Sequence, residues 1–124
     1  MRVLITVPDD APSLRAALTL ALAFAVRDLQ ANPRLPKLYR SGVWYAREPA
    51  LGVDHFAMPS EVARQGWGDC DDLALWAAAA LRLKGIRATV DVVRSGERLW
   101  HAVVRLPNGQ TIDPSKRLGM RGRA

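Results

Sequence analysis

A single cysteine, Cys70, stands among the 124 residues. An internal disulfide is thereby excluded, and the fold needs no oxidising compartment. Histidine is almost as scarce, with His55 and His101 alone. No second Cys or His lies at the close spacing that a zinc site uses, so no metal and no cofactor is expected. The stretch GDCDD, Gly68 to Asp72, does not set its oxygens around a glycine turn as a calcium loop does. Long apolar runs are missing as well. The longest candidate, LRAALTLALAFAV from Leu14 to Val26, has about 13 residues, short of the ~18–20 needed to span a bilayer. Arg15 lies inside it and Arg27 closes it; Asp9 and Asp10 precede it, and no small-residue cleavage pattern ends it. A buried helix is expected there, neither a membrane span nor a signal peptide. Internal repeats and low-complexity tracts are also absent.

Acidic residues are outnumbered 12 to 18 by Lys and Arg, giving a formal net charge of +6. The densest basic group is the tail, with Lys116, Arg117, Arg121 and Arg123. No Lys/Arg run with interleaved aromatics, no zinc-finger spacing and no RNA-binding motif accompanies it. The charge therefore reads as solvated surface, and nucleic acid is not an expected partner.

Apolar residues make up 49% of the chain, enough for one core in one domain, residues 1–124. Arg2 to Val7 has β character and stops at Pro8. Ser13 is placed to cap a helix to about Ala31, which Asn32-Pro33 ends. Its apolar content runs nearly all the way round, so other elements should enclose it. Residues 33–60 form an irregular arm with Pro33, Pro36, Pro49 and Pro59; Pro59-Ser60-Glu61 can open a helical turn ending near Gly66. A connection of this length in a small domain carries function or covers another surface.

The next helix has a strong start signal. Asp69 sits at a natural N-cap with Asp72 three residues on, a capping box with Asp in place of Glu. Leu73 to Leu83 follows, and Gly85 suits the C-terminal cap. The faces Cys70, Ala74, Ala77, Leu81 and Leu73, Trp76, Ala80, Leu83 are both apolar, so this helix should be central. Then Ile86–Arg94 alternates as a strand, Ser95-Gly96 turns, Arg98–Leu106 forms a second strand, and Gln110–Asp113 a third after the turn at Pro107-Asn108-Gly109. A helix packed on an antiparallel meander makes the expected fold α+β.

This order brings three residues into one neighbourhood. Cys70 opens a buried helix, His101 lies mid-strand, and Asp113 lies on the next strand, within cross-strand reach of His101. Nucleophile, base and orienting acid in this arrangement are the machinery of thiol hydrolases. A thiol at a helix N-terminus beside an imidazolium should have a depressed pKa. Asp71, about 100° round the helix, should face away from it. Trp67 and Trp100, adjacent in sequence to the nucleophile and base regions, are candidates for groove walls. His55 has no evident partner.

With these flanks, GDCDDLA at Gly68–Ala74, HAVV at His101–Val104 and IDPS at Ile112–Ser115 resemble the transglutaminase-like branch of papain-type cysteine enzymes. The likeness is greatest to the short versions encoded among structural genes of tailed bacteriophages and prophages. SGVWYAREP, Ser41 to Pro49, resembles the segment preceding Gly-Asp-Cys in those proteins, so the resemblance covers roughly Tyr39 to Ser115. It implies Cys70 as nucleophile, His101 as general base and acid, Asp113 as orienter, and the Cys70 N–H as one oxyanion donor. For a second donor, Gln65 and Trp67 both stand in candidate positions. It further implies a peptide or protein substrate, phage structural proteins as partners, and a place in the bacterial host cytoplasm or on the virion. The chain is short for that superfamily, which leaves open a non-catalytic role as a structural or assembly component.

Overall fold

The computed structural model describes residues 2–5, 10–47, 54–94 and 100–120, with side chains at 4, 5, 54 and 55 left aside. The Ser95-Gly96 turn, Val7, Pro49, Arg121 and Arg123 lie outside the described residues, as does the His55 side chain. Helix and sheet are mixed. Strand β1 (Arg2–Ile5) pairs antiparallel with β3 (Asp54–Ala57). Helix α1 (Ala11–Ala31) intervenes, followed by a single 3₁₀ turn at Leu38–Arg40 and the two-residue strand β2 (Trp44–Tyr45). After β3 come α2 (Pro59–Gln65), β4 (Trp67–Gly68) and α3 (Cys70–Leu83). Strands β5 (Thr89–Arg94), β6 (Trp100–Arg105) and β7 (Thr111–Ile112) form the antiparallel meander, in that order, and α4 (Pro114–Arg117) closes the described chain.

α1 begins earlier than Ser13. Asp10 is the N-cap, its carboxylate accepting from the Ser13 N–H at 2.8 Å and from the Ser13 hydroxyl at 3.0 Å. A carboxylate at this position satisfies an orphan donor and complements the helix dipole, so Asp10 rather than Ser13 holds the start. Nor is α1 enclosed. Ala17, Leu18, Ala21, Leu22, Ala25 and Asp28 are buried at helical spacing, whereas Leu20 is 54% exposed on the outer side. Asp28 uses its burial to cap a neighbour: its carboxylate accepts from the Ser60 N–H (2.7 Å) and hydroxyl (2.6 Å) in the first turn of α2, whose own N-cap residue, Met58, makes no side-chain cap. No described helix is long and apolar enough to cross a membrane.

α3 runs through the middle, as its two apolar faces require. One side joins α1 and the inner face of the meander, where Ala74, Leu75, Ala78 and Ala79 meet Leu18, Leu22, Val90, Val92, Ala102 and Val104. The other side carries Leu73 and Trp76 into a second cluster with Leu38, Val43, Ala57 and Val62. The capping box forms in both directions: the Asp69 carboxylate accepts from the Asp72 N–H (3.1 Å) and the Asp72 carboxylate from the Asp69 N–H (3.3 Å). The far end closes through Gly85, whose φ of +87° only glycine adopts without strain. There Ile86 N–H donates to Leu81 O and Gly85 N–H to Arg82 O, both at 3.0 Å, the paired bonds of a Schellman cap.

Candidate active site

The start of α3 is positioned by the arm. Strand β2 runs parallel to β4, with Trp44 opposite Trp67 and Tyr45 opposite Gly68. The Ala46 N–H donates to Gly68 O at 2.9 Å, and the Tyr45 N–H to Leu118 O at 2.9 Å. Residues 44–46 thus lie against both the Gly-Asp-Cys turn and the C-terminal end of α4. Gly68 has no room for a side chain. A Cβ there would come within 3.1 Å of Leu73 Cδ2 and 3.2 Å of both Asp72 Cβ and Val62 Cγ1. All three neighbours are fully buried, so Gly68→Ala is expected to lower stability by about 1–3 kcal/mol, the usual range for overpacking, measured by denaturant titration.

His101 is buried, and its Nε2 lies 2.7 Å from Oδ2 of Asp113. Asp113 does not stand on a strand. β7 ends at Ile112, and Asp113 is the N-cap of α4, its Oδ1 accepting from the Lys116 N–H at 3.2 Å. Nor is it directly opposite His101. The β6–β7 register pairs Val104 with Ile112 and Arg105 with Thr111; extended one step, it sets Asp113 beside Val103. His101 is therefore its diagonal neighbour on the same face, a separation that a His and an Asp side chain bridge. The Pro114 ring presets the first helical turn that seats Asp113 as a cap.

Cys70 is partly buried as the first residue of α3. The Ala102 backbone N–H, of the peptide joining His101 to Ala102, favours the charged form of the sulfur. Cys70 packs against the core cluster that includes Ala102 of β6. Its electrostatics run against the expected depressed pKa. Burial pushes the Cys70 thiol well above its ordinary value; the charges of Asp71, Asp69 and Asp72 push the same way, and the Ala102 N–H offsets only part of this. Asp71 does not face away: its Oδ1 lies 3.9 Å from the sulfur, as acceptor for the thiol. A first-turn Asp keeps enough side-chain freedom to fold back along the helix edge, which helical spacing alone does not capture. Alkylation of Cys70 by iodoacetamide should accordingly be slower at neutral pH than that of free cysteine. It should still be rising at pH values where free cysteine has reached its plateau, because the thiolate forms only at higher pH.

The Asp72 side chain is fully buried. Besides closing the capping box, its Oδ1 accepts from the Ala57 N–H at 2.8 Å, tying β3 to the start of α3. Of the oxyanion candidates, Gln65 is engaged elsewhere: its amide donates to Trp67 O at 2.7 Å, and its oxygen accepts from Arg2 at 3.3 Å. Trp67 is half-buried in the β2–β4 pair. Trp100 is half-buried against the main core, with the Arg94 guanidinium 5.0 Å from its ring centre. Among the described residues, no three His, Cys, Asp or Glu side chains converge to hold a metal ion.

Two residues that no motif singled out stand at the acid side of the pair. The Arg117 guanidinium lies 4.0 Å over the Tyr39 ring. The Tyr39 phenol is held above its ordinary value by burial first, with Arg117 pulling it down and the Asp113 carboxylate raising it. Tyr39 thus lies within the electrostatic reach of Asp113. Nothing in the local sequence marks a 3₁₀-turn tyrosine and a helix-end arginine as neighbours.

No family model, curated protein or solved structure matches the chain. The chemistry of the site rests on its own geometry.

Proposed function

We propose that this chain is a transglutaminase-like thiol enzyme with a papain-type core, in which Cys70, His101 and Asp113 transfer an acyl group from an amide. The observation that carries the reading is the part-buried 2.7 Å His101–Asp113 contact, with Cys70 at the start of α3 packed against the cluster that includes Ala102, the residue after His101. With Nε2 donating its proton to Asp113, the neutral imidazole keeps its lone pair on Nδ1, the nitrogen that serves as base. Because burial and three carboxylates hold the resting sulfur as a thiol, the reaction starts from a neutral thiol and imidazole rather than a preformed ion pair.

In the first step Nδ1 takes the Cys70 proton as the sulfur bonds to the substrate carbonyl carbon. The carbonyl π electrons move to oxygen. The Cys70 N–H has no acceptor within the helix, because Cys70 is the first residue of α3; it is the protein donor assigned to that oxyanion. Collapse re-forms the carbonyl, breaks the C–N bond and passes the imidazolium proton to the departing amine, leaving a thioester on Cys70. Water, deprotonated by the same nitrogen, then bonds to the thioester carbon; the C–S bond breaks, the imidazolium proton returns to the sulfur, and the acid is released. Hydrolysis is the default outcome, with a peptide or isopeptide as the substrate class and a phage or prophage setting for the gene.

Incubation with an activated acyl ester such as 4-nitrophenyl acetate, followed by intact mass measurement, tests this. One acetyl group should appear on Cys70, decay with time, and be missing from Cys70→Ala. Acetylation no faster than that of an unfolded peptide containing the same cysteine would overturn the reading. A second reading has a specific observation in its favour: a thiol surrounded by acidic groups suits an idle site. The same fold would then act as a structural or assembly component of a phage particle, and Cys70→Ala would leave assembly unchanged.

A further inference from the structure

Resting on the reading above, we infer that Tyr39 is a positioning residue, holding the Arg117 guanidinium on its ring so that the Asp113 carboxylate stays bonded to His101. Arg117 follows Asp113 by one helical turn, and its N–H donates to Asp113 O at 3.4 Å. At this spacing an arginine and an aspartate are natural ion-pair partners, and a guanidinium is well shaped to take both oxygens of a carboxylate. Such a pair would draw Oδ2 away from Nε2 of His101. Among the described residues Arg117 forms no ion pair; its cation lies 4.0 Å over Tyr39 instead. Asp113 is left with two donors of other kinds, the His101 ring on Oδ2 and the Lys116 N–H on Oδ1.

The arm is what places the tyrosine. Leu38, its neighbour in the 3₁₀ turn, is buried with Leu73 and Trp76 of α3. The Arg40 N–H donates to Lys37 O and the Ser41 N–H to Leu38 O, closing the turn. Arm and active-site acid are thereby coupled: displacing the arm would free Arg117 to compete for Asp113. The charged and titratable groups near Asp113 are His101 from β6, Tyr39 from the arm and Arg117 from α4.

The test needs no substrate. In proton NMR of the full chain, a ring N–H of a buried imidazole donated to a carboxylate gives a low-field resonance, assigned to His101 by its loss in His101→Gln. Tyr39→Leu, which keeps apolar contact and removes the ring face, should abolish or shift that resonance upfield. Tyr39→Phe should preserve it, and the double variant Tyr39→Leu/Arg117→Gln should restore it. An unchanged resonance in Tyr39→Leu overturns the inference. So does a loss that Arg117→Gln fails to restore, since that marks simple packing damage. Should Tyr39→Leu not fold, Arg117→Gln alone decides. The resonance should survive in it, and its loss would mean that Arg117 supports the pair rather than competing with it. Failure of the acyl-transfer reading shows separately, as no acetylation of Cys70 in a protein whose His101 resonance behaves as described.

Discussion

Exchange of His101 for alanine is expected to lower the acylation rate of Cys70 by about 10²–10⁴-fold, the usual share of a positioned general base. The reason is the state of the sulfur. A preformed thiolate would retain reactivity without its base, but here burial and the charges of Asp71, Asp69 and Asp72 keep the proton on the thiol. Proton removal has to coincide with attack, so the imidazole is needed at that moment. Asp113→Ala should lower the rate by less, because the base survives and only its orientation and tautomer are lost. Asp113→Asn should be milder again, since its remaining oxygen can still accept from Nε2. Stopped-flow acylation with the three variants checks the order.

The largest effect on stability is expected from Asp72→Ala. It would leave the buried Ala57 N–H without its 2.8 Å acceptor and remove one half of the capping box. An orphaned buried donor costs about 1–3 kcal/mol and a lost cap about 1 kcal/mol, so a loss of roughly 2–4 kcal/mol should appear in denaturant unfolding. Asp72→Asn should lose less, because its single oxygen can keep the Ala57 contact. The pH dependence has a definite sign. Burial first, then the charge of Asp69 and that of Asp71, hold the Asp72 carboxyl well above its usual range, against the Ala57 and Asp69 N–H groups. The folded chain thus keeps a proton that the unfolded chain has already released. The stability this provides is complete below the ordinary carboxylate pKa and drains away as pH rises through the folded value. Asp72→Asn should flatten that slope.

The parts of this arrangement legible in the sequence are those governed by local physics. The capping box at Asp69 and Asp72 and the glycine that ends α3 follow from neighbouring residues, and both are present in the fold; of the two expected apolar faces, Ala74, Leu73 and Trp76 are buried, whereas Leu83 is exposed at the helix end. The meander follows from alternation and from the Asn108-Gly109 turn. The departures have physical causes too. Asp113-Pro114 suits a strand end and a helix cap equally well, and the cap wins because Pro114 presets the first turn of α4. Asp10 outcompetes Ser13 for the start of α1 because a carboxylate takes both the N–H and the hydroxyl that Ser13 offers. The pairing of β2 with β4 involves two residues on each side, too few for any hydrophobic pattern to announce. The character of Cys70 escaped for a related reason: it depends on where Asp71 turns and on how deeply the sulfur sits, and neither is a property of spacing along the chain.

The measurement bearing most directly on the central claim is the ratio of Cys70 acetylation rates in the wild-type chain and in His101→Ala, taken at neutral pH with both proteins shown to be folded. A ratio of about 10² or more is predicted if the imidazole takes the proton as the sulfur attacks. Equal rates, both at the level of an unassisted thiol, would contradict it and leave the fold as a scaffold around an inert cysteine.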